Sequence, residues 1–257
     1  MTFSDILNNG FANCYILDHD GMTSMGSFLL ILAITLCCLI GYFLGSVNFA
    51  IILSKNKGKG DIRAYGSKNA GATNMGRLYG KKAAFLTFLG DFLKALVACF
   101  IGRLCWGLEG AYLAGLFCVI GHVFPIFFKF KGGKGVSTTA GVMFACDIFS
   151  FLVILVLYAL VFLASKMISM ASIMSALMYT FILYNVNKIF AIDPGIHTLL
   201  ALAISVIVLV KHSENIKRIM SGKEPKINLF SKKNNDSDDS EAKPEETGKK
   251  RSLHNDD

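Results

Sequence analysis

Long apolar runs alternate along this chain with short segments dense in Lys, Arg and Gly. A helix needs roughly 20 residues to cross about 30 Å of hydrocarbon, and residues 27–54, 83–102, 110–128, 135–165, 168–187 and 196–210 read as spans rich in Leu, Ile, Val, Phe and Ala. The run 135–165 is long for one crossing and holds Asp147 near its middle, a costly residue at the centre of a lipid-facing helix. It reads as two short helices that turn near Asp147. The expectation is an all-α polytopic membrane protein with about seven transmembrane helices, with one long tilted helix over 135–165 as the alternative.

Charge sets the orientation. Residues 1–26 carry Asp5, Asp18 and Asp20 and no Lys or Arg, a net −3, whereas 55–82 carry Lys55, Lys57, Lys59, Arg63, Lys68, Arg77, Lys81 and Lys82 against Asp61 alone, a net +7. Short basic loops stay in the cytoplasm, so the N-terminus is expected outside and the loop inside. Two more spans return the chain to the same face at Lys129, Lys131 and Lys134, and a third basic segment follows the last span from Lys211 to Lys226. Between Lys134 and Lys211 the crossings must then be even in number, which the turn at Asp147 satisfies. The C-terminus is expected in the cytoplasm.

The division expected is an extracytoplasmic segment over 1–26, a membrane domain over 27–226 and a charged cytoplasmic tail over 227–257. From Ser231 onward the tail has six basic and eight acidic side chains and almost nothing to bury, so it reads as disordered. The first span is not preceded by a basic n-region, so it reads as retained rather than as a signal peptide. With 257 residues, 53% of them apolar, and a mean hydropathy of +0.52, lipid is the solvent for most of the chain. Six of the seven cysteines lie in or beside apolar runs without CxxC spacing, which suits small buried hydrophobes. No metal, other cofactor or nucleic acid partner is expected.

Three polar segments carry candidate chemistry. The first, Gly66-Ser67-Lys68-Asn69-Ala70-Gly71-Ala72-Thr73-Asn74-Met75-Gly76-Arg77, combines glycines, which allow close backbone approach, with hydroxyls, amides and a guanidinium suited to phosphate. The positive-inside rule accounts for its charges but not for its Gly, Ser, Thr and Asn. The second, Lys131-Gly132-Gly133-Lys134-Gly135, stands where a span begins, so helix N–H groups and Lys134 could hold an anion together. A nucleotide-binding P-loop would need Gly at 128 and Ser or Thr at 135, where Phe128 and Gly135 stand; a plain glycine-rich turn is the competing reading. In the third, on a continuing helix, His212 and Asn215 share a face, as do Asn215 and Arg218. A lone His at a membrane edge is otherwise an ordinary interfacial residue.

Taken in order, GSVNFAIILSK, DIRAYGSKNAGATNMGRLYGKKAA, GHVFPIFFKFKGGKGVSTTAGV and KHSENIKRIMSGKEPKI resemble the signature regions of the bacterial acyl-phosphate-dependent glycerol-3-phosphate acyltransferases, the PlsY family, from about Gly41 to Lys226. The resemblance implies seven helices in the cell membrane, an active site on the cytoplasmic face, and transfer of a fatty acyl group from acyl phosphate to the 1-hydroxyl of sn-glycerol 3-phosphate. The products would be lysophosphatidic acid and phosphate, with membrane lipid as the surroundings. It places functional residues at Ser67, Arg77, Lys134, His212 and Asn215, and substrate contacts at Gly66, Asn69, Thr73, Asn74, Gly132, Gly133 and Ser169. Two positions depart from the family pattern: Lys68, where glycine is usual, and Ser213, where arginine is usual.

Acyl phosphate is already activated, so a direct attack needs only positioning and charge stabilisation. Lys134 and the turn amides would bind the donor phosphate, and Arg77, Ser67 and Asn74 the phosphate of the acceptor. Asn215 would orient the hydroxyl, and His212 would be either general base or phosphate ligand. An organic-phosphate transporter is the rival from another class, although the chain shows no inverted repeat. A structural subunit whose basic loops touch anionic lipid heads is a third reading.

Overall fold

In the computed structural model the described residues are 2–19, 23–56, 58, 60–192 and 195–227. The charged tail, Lys57 and Lys59 lie outside them. The helices are α1 (Phe3–Asp18), α2 (Ser24–Ser46), α3 (Phe49–Asn56), α4 (Ala72–Val123), α5 (Val136–Cys146), α6 (Ile148–Ser165), α7 (Ile168–Ile189), α8 (Ile196–Lys211) and α9 (Ser213–Met220).

By length and composition, four stretches of these residues suit a membrane crossing, or five if α8 and α9 form one span bent by 55°. The longest stretch, with α4 at its heart, is too long for one crossing. The 52 residues of α4 would extend about 78 Å at 1.5 Å per residue, more than twice the hydrocarbon thickness. The helix breaks at Trp106 and Gly107, where Gly107 takes a φ of +60°. Its two arms then fold back and touch, and a Cβ on Gly102 would collide with the Gly110 carbonyl. The separate runs at 83–102 and 110–128 are the arms of this hairpin. Small residues also admit α2: a Cβ on Gly41 or Gly45 would strike the backbone of Ala114 or Cys118, the close approach that membrane helices use for association.

Asp147 ends α5 and caps α6. Its Oδ1 accepts from the Phe149 and Ser150 amides at 3.0 and 3.1 Å, and its Oδ2 from the Ser150 hydroxyl at 2.6 Å. The carboxylate is thus satisfied at a break rather than set against lipid in mid-helix. Along α6 only Ser150 and Ile154 are buried, so most of its apolar surface faces outward, as lipid contact requires.

Two features depart from the sequence reading. Residues 3–18 form a helix, begun by a capping box between Thr2 and Asp5 and docked through Arg103 Nε, which donates to the Leu7 carbonyl at 2.9 Å. The span 83–102, read as plain apolar chain, contains Asp91 and Lys94, which are 1% and 6% exposed and form an ion pair at 2.8 Å.

Candidate functional site

The third basic segment builds the centre of the site. It is not one continuing helix: α8 ends at Lys211 and α9 begins at Ser213. The His212 ring is buried at the junction. Its Nδ1 donates to the Val208 carbonyl at 2.8 Å, because a carbonyl can only accept, and Nε2 is left as the acceptor. Burial pushes the imidazole down to about 4, with the nearby Lys134 cation adding to the effect against the Val208 contact and Glu224. His212 is therefore neutral at pH 7.

Asn215, on the first turn of α9, links two segments far apart in sequence. Its carbonyl oxygen accepts from Lys134 Nζ, while its amide donates to Glu224 Oε1 at 2.7 Å. Arg218, one turn further on, donates through Nε to the other oxygen of Glu224, also at 2.7 Å. The shared face of Asn215 and Arg218 is thus used on a carboxylate of this chain. Burial tends to raise the Glu224 carboxyl, but the Ser169, Asn215 and Arg218 side chains outweigh it and hold it below its ordinary value. Ser169 points to this carboxylate from the first turn of α7 without good hydrogen-bond geometry. Ser213, the first residue of α9, is exposed.

Lys134 precedes α5, whose N-terminus has no side-chain cap at Gly135. Burial and the neighbouring Arg218, Arg77 and Lys211 lower its amine to about 8, with Glu224 opposing them. Cations from all three basic segments therefore act at Lys134, against the Glu224 carboxylate. That imbalance suits an anion.

The glycines beside Lys134 are there for close approach. Gly132 and Gly133 donate their amides to the Val123 and His122 carbonyls, each at 3.1 Å. A Cβ on Gly133 would stand 2.7 Å from the Ala70 carbonyl and collide with the His122 ring. The first and second loops are thereby pressed together, and Arg63 ties them by donating through Nη1 to the Phe128 and Lys131 carbonyls, each at 2.7 Å.

Asn74 departs most from its expected role as a phosphate ligand. It is fully buried, and its amide donates to the carbonyls of Ile62, Tyr65 and Asn69 at 3.1–3.3 Å while its oxygen accepts from the Ser67 amide at 3.0 Å. Every polar group of that side chain is spent on shaping the loop. Gly66 and Lys68 take φ values of +57°, and Asn69 contributes its carbonyl to the Asn74 amide and to Gly71 N–H. Ser67 and Arg77 are exposed, and Thr73 is half-buried on the uncapped first turn of α4. Among the described residues Arg77 makes no hydrogen bond or ion pair.

The structure therefore joins Lys134, Asn215, Arg218 and Glu224 directly, with His212 and Ser169 beside them, and leaves Ser67, Thr73 and Arg77 on the lip formed by the first loop and the start of α4. Glu224 and Arg63 are functional-site residues that the sequence does not single out. Their one sequence signal is composition: Glu224 is one of two acids, with Glu214, among five Lys and Arg in 211–226, and Arg63 lies two residues after Asp61, whose carboxylate it grips at 2.6 Å.

A family model described as glycerol-3-phosphate acyltransferase matches residues 35–222. A glycerol-3-phosphate acyltransferase of Finegoldia magna is 41% identical over 192 residues, covering 74% of this chain and 93% of that protein. One from Coxiella burnetii is 37% identical over 203 residues, 77% of this chain and all of the relative. The crystal structure of PlsY, an integral membrane glycerol 3-phosphate acyltransferase, in its glycerol 3-phosphate form superposes with a TM-score of 0.71 at 34% identity, over 77% of this chain and 99% of that one. Its lysophosphatidic acid form gives 0.68 at 32% identity, over 76% and 95%.

Proposed function

The chain belongs to the glycerol-3-phosphate acyltransferase family and is a multi-pass membrane acyltransferase, and from that premise we propose that it moves a fatty acyl group from acyl phosphate to the 1-hydroxyl of sn-glycerol 3-phosphate. The observation that carries the reading is the join between basic segments: Lys134 Nζ donates to Asn215, Asn215 and Arg218 both donate to Glu224 at 2.7 Å, and Arg77 and Lys211 lie near enough to act on the Lys134 amine. Those cations come from three segments, and both substrates carry phosphate.

Lys134 and the free amides at the start of α5 hold the donor phosphate, and Arg77 and Ser67 hold the acceptor phosphate from the lip. Thr73, on the first turn of α4, borders that second subsite. Gly66, Asn69 and Asn74 shape the lip, and Gly132 and Gly133 bring it against the second loop. Glu224 holds Asn215 and Arg218 in place, with Ser169 beside it. The hydroxyl oxygen attacks the acyl carbonyl carbon, the bond from that carbon to the phosphate oxygen breaks, and the hydroxyl proton ends on the departing phosphate. His212 Nε2 accepts a hydrogen bond from the attacking hydroxyl and orients it. A group titrating near 4 is a weak base at pH 7, so the leaving phosphate is the better final acceptor of the proton.

The site works at the cytoplasmic face of the cell membrane, in a chain of seven crossings with its N-terminus outside. Supporting this are the basic segments that flank the spans and the two arms of α4, which count as separate crossings. The transporter reading is not favoured, since the relatives are named acyltransferases. The test is purified protein given glycerol 3-phosphate and acyl phosphate: lysophosphatidic acid should form, and its absence sinks the proposal. A second arm omits the acceptor and supplies radiolabelled acyl phosphate. No label should remain on the denatured chain; stoichiometric label that then moves to glycerol 3-phosphate would replace direct attack with an acyl-enzyme.

A further inference from the structure

Three ionisable side chains with no part in that chemistry lie inside the bundle, beneath the two pressed loops. Asp91 and Lys94 sit one turn apart on the first arm of α4, and His122 lies near the end of the second; they are 1%, 6% and 3% exposed. Ionisable groups at membrane depth are costly and persist where they are paired and serve the molecule. Lys94 Nζ pairs with Asp91 Oδ1 at 2.8 Å and lies 3.1 Å from His122 Nδ1, which is itself 3.3 Å from Asp91 Oδ1.

The lysine has further partners. It donates to the Gly45 and Val47 carbonyls at 2.9 and 2.6 Å, where α2 ends and its last carbonyls lack helical partners. Asn48 follows at once. Its side-chain oxygen accepts from the Ile51 amide at 3.1 Å to begin α3, and its amide donates to the Ala70 carbonyl at 3.4 Å. At the other end of the cluster, the His122 carbonyl accepts the Gly133 amide and the His122 ring packs against Gly133. Ala70 and Gly133 touch where the two loops meet, and Lys134 is the next residue.

We infer that Asp91, Lys94 and His122 are positioning residues: a buried charge cluster that locks the broken end of α2 to the end of α4 and so sets the register of the Ala70 and Gly133 loops, and with it the place of Lys134. The cluster acts through backbone and packing rather than on substrate. Its kinetic consequence rests on the acyl transfer proposed above; its structural consequence does not.

The experiment compares the parent protein with the Asp91→Asn, Lys94→Met double variant, which removes the ion pair without leaving a lone charge in the core. Both are purified in detergent, the folded fraction is taken from size-exclusion and thermal melting, and two quantities are read. Hydrogen exchange at the Gly132 and Gly133 amides should rise at least tenfold in the variant, and kcat per folded molecule should fall at least tenfold with KM for glycerol 3-phosphate changed less than threefold. Unchanged exchange at both glycines, or a kcat within twofold of the parent, overturns the inference. If the double variant is not recovered folded, His122→Asn keeps an acceptor towards Lys94 and removes only the ring against Gly133; the same two outcomes decide. A parent that makes no product but whose variant still loosens Gly132 and Gly133 would fail the functional reading alone.

Discussion

Asn215 gives its amide to Glu224 Oε1 at 2.7 Å while its carbonyl oxygen receives Lys134 Nζ. The carboxylate therefore decides which way the amide faces. Only with Glu224 accepting from the nitrogen does the oxygen turn towards the ammonium and hold it at the start of α5.

Removing that carboxylate should disable the site. In Glu224→Ala the Asn215 amide and the Arg218 guanidinium both lose an anionic partner, each a contact worth about 1.5–3 kcal/mol. Acyl transfer should fall at least tenfold in protein that remains monodisperse, and Glu224→Gln, which can still accept from Asn215, should lie between the two. Near-parental turnover in Glu224→Ala would mean that Asn215 is held by something else.

The pH profile should report Lys134. Its amine titrates at about 8 in the free protein, lowered first by burial and then by the neighbouring cations. Activity that needs the ammonium is full below that value and lost as pH rises through it, so kcat/KM should decline with a midpoint near 8. Bound phosphates stabilise the charged amine, so the decline in kcat should move to higher pH. His212, neutral down to about 4, should add no limb between about 5 and 8. Lys134→Arg keeps its charge; it should lose the alkaline limb at a lower plateau, and persistence of the same midpoint would assign the limb elsewhere.

Arg77 is exposed, and among the described residues it has no partner that would compete with a ligand. Arg77→Ala should raise KM for glycerol 3-phosphate at least tenfold and leave thermal stability unchanged, because no contact within the fold is lost. A variant with parental KM returns Arg77 to the ordinary excess of cytoplasmic basic residues.

Lys68 stands at a φ of +57°, a left-handed backbone that costs a side-chain-bearing residue about 1–2 kcal/mol. Lys68→Gly should release that strain and raise the thermal midpoint by about 2–4 °C, on the scale of 1 kcal/mol in a chain of this size. Turnover should stay within twofold. A lower midpoint would show that the lysine side chain supports the loop.

Orientation is open to chemical labelling. Single cysteines placed at exposed positions in 54–82, 129–134 and 211–227 of a cysteine-free protein should resist an impermeant thiol reagent in intact cells and react after lysis, and a cysteine in 2–18 should do the reverse. External labelling of any of the three basic segments would separate them across the membrane and end the single-site arrangement.

The sequence by itself determined what depends on local chemistry and on the solvent. Apolar runs long enough to cross lipid marked the helices, Asp147 marked the break between α5 and α6 because a carboxylate in mid-span must find amides, and the placement of Lys and Arg set the expectation of one cytoplasmic face. Three polar segments read as phosphate sites, their resemblance to the signature regions of a known family implied an acyltransferase, and the family match agrees with that implication. Tertiary structure decided which of those polar residues face a ligand and which serve the fold. Asn74 turns inward onto three carbonyls. Lys134 meets Asn215 across 81 residues of sequence, Arg63 reaches Phe128 across 65, and Lys94 reaches Gly45 across 49. Periodicity and composition report on neighbours along a helix, whereas these contacts arise only when separate helices pack and glycines let backbones touch. A lysine written among apolar residues looks the same on the page whether it faces lipid, a substrate or two orphan carbonyls; the packing of the helices chooses among them.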